Sequence, residues 1–120
     1  MKRAIVLIAL LLAISAVNAS NFNFLHDTTP ISDFSKEDGD LFWNAVITAL
    51  DTKKDGEKLA WKNDKTGSSG LVNPLSSYKE DQTECRTLRI VNRTVKNIAE
   101  SKYKFCKRDG KWVAINIILE

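Results

Sequence analysis

Apolar and polar positions follow three different patterns along the chain. Residues 4–17 form an almost unbroken apolar run behind Lys2 and Arg3, and Val17-Asn18-Ala19 puts small residues before a cut preceding Ser20. That is the layout of a secretory signal peptide. As a helix the run covers only ~21 Å, against a hydrocarbon core of roughly 30 Å, so it is too short for a stable membrane span. The expected division is a signal peptide over 1–19, an N-terminal arm or linker over 20–32, and a domain over 33–120. The arm is polar and aromatic without a period, and Pro30 interrupts it.

The second pattern is helical. Leu41, Phe42, Ala45, Val46, Ala49 and Leu50 recur at the spacing of one helix face, and Ser35 with Asp38 three residues on forms a capping-box pattern. Asp38 and Asp40 suit a helix N-terminus, where the dipole favours negative charge. Gly39 in the first turn costs ~1 kcal/mol against alanine, and Gly56 lies past the end as a stop. One amphipathic helix beside several strands packs its apolar face on theirs.

From Glu57 the pattern becomes that of strands. Segments 58–62 and 70–75 flank Asn63-Asp64-Lys65-Thr66-Gly67, a cluster of turn formers in which Gly67 supplies a positive φ. Pro74 marks an edge or an end. Residues 85–106 read as one hairpin centred on Val95-Lys96, and Asp109-Gly110 joins its second strand to a last one over 112–119. The predicted fold is α+β, with one N-terminal helix packed on a four-stranded antiparallel sheet of hairpins.

The hairpin register makes a sharp prediction. Counting outward from a two-residue turn, Thr94 and Asn97 form a hydrogen-bonded pair, and Cys85 falls opposite Cys106 at a non-hydrogen-bonded site. There the Cα atoms approach to about 4.5 Å, inside the range a disulfide tolerates. Closing such a loop stabilises by roughly 3 kcal/mol in the chain-entropy model. The other readings are two buried thiols or a metal pair. One histidine and no further cysteine do not complete a Cys/His zinc site, so no metal is expected. The same register puts Leu88, Ile90, Tyr103 and Phe105 on one face, and Thr87, Arg89, Lys102 and Lys104 on the other with the cysteines. Val95-Lys96 lacks the Gly or Asn of a two-residue turn, and a longer loop from Asn92 to Asn97 would keep the pairing.

Composition narrows the function classes. At 120 residues, 43% hydrophobic and 28% charged, the chain suits one small globular domain and excludes a multidomain enzyme. Net charge is +3, and loss of Lys2 and Arg3 with the leader lowers it to +1, so no nucleic-acid partner is expected. Reactive constellations are lacking. His26, the only histidine, lies in the arm, which leaves no second base for a Ser/His or Cys/His system. Gly67-Ser68-Ser69-Gly70 lacks the Lys-Ser/Thr and the helix of a phosphate loop. The segment 51–62 has Asp51, Asp55 and Gly56 of a calcium loop, but Lys53 and Lys62 occupy positions that need oxygen ligands. Asn92-Arg93-Thr94 is a glycosylation sequon, expected to be accessible near a turn. Trp61 and Trp112 read as core or edge packing, and with Tyr78 exposed they would form a ligand patch.

Trp61, Asn63, Thr66-Gly67, Ser69-Gly70, Val72 and Pro74, then Cys85-Arg86, Cys106-Lys107, Asp109-Gly110 and Trp112, resemble the C-terminal domain of the 17 kDa surface-antigen family of Gram-negative cell envelopes. The match covers residues 33–116 and includes the twenty-residue cysteine interval. Members commonly carry a lipid-modified cysteine and a glycine-rich segment before this domain, which this chain lacks, and Lys107 and Val95-Lys96 depart from the pattern. The resemblance implies an exported periplasmic, secreted or cell-surface protein with a non-enzymatic structural or interaction role, without cofactor. The expected partner is an envelope protein or a cell-wall component. An alternative is a binding or inhibitor module that inserts a loop built from Asn63, Lys65, Thr66, Gly67 and Ser69 into a partner's cleft.

Overall fold

The computed structural model describes residues 31–118. The signal peptide, the arm up to Pro30 with His26, and positions 119 and 120 lie outside the described residues. A short 3-10 turn, Ile31–Asp33, leads into helix α1, Lys36–Thr52. Five strands follow: β1 Leu59–Asn63, β2 Ser68–Glu80, β3 Thr83–Arg93, β4 Ile98–Arg108 and β5 Lys111–Ile118. They form one antiparallel sheet in the order β1-β2-β3-β4-β5, with each strand beside its chain neighbour.

Helix α1 begins where the capping box predicts. The Ser35 hydroxyl accepts from the Asp38 backbone N–H at 3.1 Å, and the Asp38 carboxylate accepts from the Ser35 N–H at 3.0 Å. The helix buries Phe42, Ala45, Val46, Ala49 and Leu50, five of the six positions of the sequence stripe, and Leu41 stays half-buried. They meet Trp61, Val72, Leu88, Ile90, Tyr103, Phe105, Trp112 and Ala114 from one face of the sheet. Ile31 adds to the same core and is 5% exposed, so the chain joins the core immediately after Pro30. Phe34, Phe42 and Trp61 make an aromatic cluster with edge-on and tilted contacts, its ring centroids 5.3–6.3 Å apart, inside the range where such pairs add to plain burial.

The β3–β4 hairpin has the register read from the sequence. Cys85 faces Cys106, Leu88 faces Tyr103 and Arg93 faces Ile98 across a turn made of Val95 and Lys96 alone, closed by Thr94 N–H to Asn97 C=O at 2.8 Å. Side-chain chemistry replaces the missing glycine: the Thr94 hydroxyl accepts from the backbone N–H of Lys96 and of Asn97. The cysteines are joined, with their Cα atoms 4.0 Å apart. Asp109-Gly110 forms the predicted tight turn, with φ of 52° and 75°.

The sheet has five strands rather than the four expected: each of the five strand segments that the pattern offers has its counterpart among β1 to β5, and β2 is longer than its segment. This strand runs on for six residues past Pro74 and pairs Ser76 to Glu80 with β3. Asp81 and Gln82 turn the chain with φ of 48° and 67°, both in the left-handed region and without a glycine to announce it. Pro74 is tolerated because β1 stops opposite Val72, so the proline lies where β2 has lost its outer neighbour. Its carbonyl points outward and accepts from the Gly56 N–H at 2.7 Å; its missing N–H points the same way and breaks no ladder bond.

Gly70 fixes the place of Trp61. The two residues face each other across β1 and β2, and a Cβ on Gly70 would sit 2.2 Å from the Trp61 indole nitrogen and 2.8 Å from Asn92 Oδ1. The indole lies in the space a side chain would need. Gly70→Ala is therefore expected to destabilise the fold by roughly 1–3 kcal/mol, the usual cost of overpacking. Urea unfolding should show this as a lower midpoint with an unchanged slope.

Candidate functional site

The sequence points to the 63–69 loop, and the structure builds it as the meeting place of helix and hairpin. Asp38 lies under this loop and is 1% exposed. Its Oδ1 accepts from Asn63 Nδ2 at 2.8 Å and from the Thr66 hydroxyl at 2.7 Å, while Oδ2 serves the Ser35 N–H. Burial by itself raises this carboxyl's pKa. The hydrogen bonds from Thr66, Ser35, Asn63 and Ser68 outweigh it and hold the group below the usual aspartate value.

The loop closes on itself as well. Asn63 Oδ1 accepts from the Lys65 N–H at 3.1 Å, Thr66 Oγ1 accepts from the Ser68 N–H at 3.2 Å, and the Gly67 N–H reaches the Asn63 carbonyl at 2.9 Å. Gly67 has φ of 78° and supplies the left-handed step predicted for it. Of the five residues nominated for binding, Asn63 and Thr66 thus point inward to Asp38 and Gly67 shapes the backbone. Ser69 is half-buried in the ladder between Lys62 and Arg93. Gly67 is exposed as well, and Lys65 carries an exposed side chain, with its ammonium 3.5 Å from Glu37. Beside the loop lies a shallow cavity of about 150 Å³, lined by Asp33, Asp38, Thr66, Ser68, Thr94 and Lys96.

Sequence reasoning missed Arg86 as the counterpart at the other end of the helix. Arg86 is 6% exposed, and its guanidinium donates to the Ala49 and Leu50 carbonyls at 3.1 and 2.8 Å, to Asp55 at 3.0 Å and to the Ser77 hydroxyl at 2.8 Å. The last carbonyls of a helix lack intrahelical donors and carry its negative pole. A planar fork on the neighbouring sheet suits them. The hydrogen bond from Arg86 is the main reason that the Asp55 carboxyl lies below its ordinary pKa, with Ser77 adding to it. Trp112 completes this end by donating its indole N–H to Asp51 at 2.8 Å.

On the helix-free face a second cavity of about 200 Å³ lies over the disulfide, between Glu80, Thr83, Lys104 and Arg108. Glu80 accepts two hydrogen bonds from the Lys104 ammonium, at 2.8 and 2.6 Å, and this contact raises the lysine pKa. Arg89 pairs with Glu100 on the same face. Asn92 corrects the sequon reading: it is 4% exposed, on the core side beside Gly70, so its amide is closed to a glycosyl donor in the folded chain. Trp61 and Trp112 are core residues, 7% and 5% exposed, and form no patch with Tyr78, which is on the helix-free face.

Among the described residues no group of three His, Cys, Asp or Glu side chains is placed to hold a metal ion. Among them, too, no helix is long and apolar enough to cross a membrane. Comparison with family models, curated proteins and solved structures finds no match to the chain.

Two expectations follow. Arg86→Ala leaves helix carbonyls and Asp55 without their shared donor, and should cost roughly 2–4 kcal/mol in denaturant unfolding; Arg86→Lys should recover little, since one ammonium does not span acceptors on three elements. The pH dependence has a definite sign. Asp38 and Asp55 have depressed values in the folded state, so the unfolded chain takes up protons first as pH falls. Their stabilisation is whole above the ordinary aspartate value of about 3.9 and is lost below it as the folded groups protonate. Melting temperature should therefore drop steeply in that acid range, and Asp55→Asn should flatten the drop.

Proposed function

We propose that the protein is an exported cell-envelope domain of the surface-antigen type with a non-enzymatic, structural or interaction role. One observation carries the reading: the residues behind the surface-antigen resemblance are spent on holding the fold. Trp61 lies over Gly70, Asn63 and Thr66 bind Asp38, and Pro74 receives Gly56. Cys85 joins Cys106, Arg86 caps the helix and Trp112 binds Asp51. A signature made of anchors describes a scaffold, and its chemistry is that of a stable surface. The disulfide supports an oxidising compartment, in line with the apolar leader.

A second reading draws on the loop. Asp64 and Lys65 stand out in solvent, 85% and 80% exposed at their side chains, on a base that Asn63 and Thr66 fix to the helix. A tip held in one shape before binding loses little entropy on docking, which is what a loop inhibitor of a cell-wall hydrolase needs.

Intact mass of the natively isolated protein tests the main proposal. The expected mass lacks the first nineteen residues and two hydrogens; an unprocessed chain or two free thiols would overturn it. Hydrolase activity lost on changing Ser69 or His26 would overturn the non-enzymatic part. A pull-down from envelope extract separates the two readings. A partner lost on replacing residues 65–67 establishes the inhibitor reading, and capture unaffected by the replacement establishes the scaffold.

A further inference from the structure

Helix and sheet carry opposite charge. Residues 31–58 hold seven acidic side chains against four basic ones, whereas residues 59–118 hold twelve basic against six acidic. The helix covers one face of the sheet, and alternation along the strands sends a set of cations to the other. Arg89 and Arg93 on β3, Lys102, Lys104 and Arg108 on β4 and Lys111 on β5 all fall on that helix-free face. Glu80 and Glu100 are the acidic strand residues among them, and Asp81 and Asp109 stand in the turns at one end.

The fold does not consume these cations. Arg93, Arg108 and Lys111 are exposed and have no counter-ion among the described residues. The register also sets like charges against each other twice, Arg89 opposite Lys102 and Arg108 opposite Lys111. Such pairs destabilise a sheet in water, and an anion laid over them relieves the repulsion.

Two apolar side chains stand out on the same face. Ile98 lies opposite Arg93 and is 59% exposed; Tyr78 lies opposite Cys85, level with Cys106, and is 36% exposed. Eight steps of β4 separate Ile98 from Cys106, which is ~27 Å of extended strand. The apolar contacts therefore sit toward opposite ends of the face, with the cations between and beside them.

We infer that the helix-free face docks flat on a membrane surface rich in anionic phospholipid. Arg93, Arg108 and Lys111 meet the lipid phosphates, and Ile98 and Tyr78 enter the headgroup layer at the two ends. Basic and apolar residues on one face are the combination that holds a protein in a bilayer interface, where each part adds to binding. A linear polyanion would need a single track of charge. These residues instead spread across β2 to β5 and along the length of β4, so an extended surface engages them together. The acidic helix lies on the opposite side and is repelled by the same surface, which leaves one orientation. The contact is peripheral and needs no membrane-spanning segment.

Cosedimentation of the natively isolated protein with vesicles tests this, and it does not rest on the surface-antigen reading. Binding is expected to vesicles of phosphatidylglycerol in phosphatidylcholine and not to phosphatidylcholine alone, and it should weaken as salt is raised. Arg93→Gln, Arg108→Gln and Lys111→Gln should each lower the affinity about fivefold, and the triple variant on the order of a hundredfold. Removing the same amount of charge from the helix and the loop after it, with Lys36→Gln, Lys54→Gln and Lys58→Gln, should leave binding unchanged. Ile98→Ser should weaken binding by a factor that salt does not alter. All seven positions are exposed, and an unchanged near-ultraviolet spectrum verifies the fold of each variant. Equal binding to neutral vesicles, binding that survives the triple substitution, or an equal loss from the helix-side triple overturns the inference. Retention by soluble dextran sulfate without binding to the anionic vesicles overturns it in favour of a linear polyanion.

Discussion

A carboxylate shut away from water governs how this domain is put together. Taking a lone carboxylate into an apolar interior costs several kcal/mol, and the group is retained only if hydrogen bonds replace its hydration. Asp38 obtains them from three directions at once: the Ser35 N–H at the helix N-terminus, Asn63 at the end of β1, and Thr66 in the turn that follows. Each donor lies on a different piece of chain, so the charge can be satisfied only when the helix start and the first hairpin are correctly docked. The opposite end of the helix carries the complementary device, where the Arg86 guanidinium meets the terminal carbonyls and Asp55. An anion at the positive pole and a cation at the negative pole match the helix dipole, and each reaches the sheet. The helix is thus tied at both ends by directional contacts, while the apolar stripe between supplies the bulk of the burial.

How much of this was legible in the sequence depends on whether the signal was local. The capping box was readable because Ser35 and Asp38 answer each other across one turn. The β3–β4 register was readable because a period-two alternation and two cysteines count from the same turn and agree. Asp109-Gly110 announces its turn through residue types that accept positive φ. What stayed hidden depends on partners distant along the chain. Proline normally ends a strand; that β2 continues through Pro74 is permitted only because β1 is too short to need the missing donor. The Asp81-Gln82 turn uses two non-glycine residues at positive φ, a cost of local conformation that the long β2–β3 ladder offsets. Arg86 and Asn92 look like ordinary polar residues of a strand, and their burial comes from what packs on that face 37 and 22 residues away in sequence.

The candidate loop illustrates the same division. Residue types such as Asn, Thr, Gly and Ser serve equally for contacting a ligand and for building a turn, because both need short polar groups near the backbone. Sequence spacing does not separate these uses. Geometry does: the Asn63 amide has one side on Asp38 and the other on the Lys65 N–H, and Thr66 both donates to Asp38 and accepts from Ser68. With its polar groups engaged, the base of the loop presents little to a partner, and recognition there falls to the charged tips.

Polar anchors occur along the whole sheet, and their partners differ from one part to another. Buried side-chain hydrogen bonds tie α1 to β1, β2 and β3 through Asp38, Asn63 and Arg86. On β4 and β5 the side-chain ties include the disulfide, the Trp112–Asp51 bond, the Lys104–Glu80 and Arg89–Glu100 ion pairs and the Lys107 ammonium 5.2 Å above the Trp112 ring. The disulfide sits on a hairpin of two internal strands, β3 and β4. A covalent link there holds β4 against β3 without help from the helix. The cysteines thus add a covalent cross-strand link at the centre of the sheet, beside the ladder that pairs β3 with β4, while Trp112 ties β5 back to the helix through Asp51.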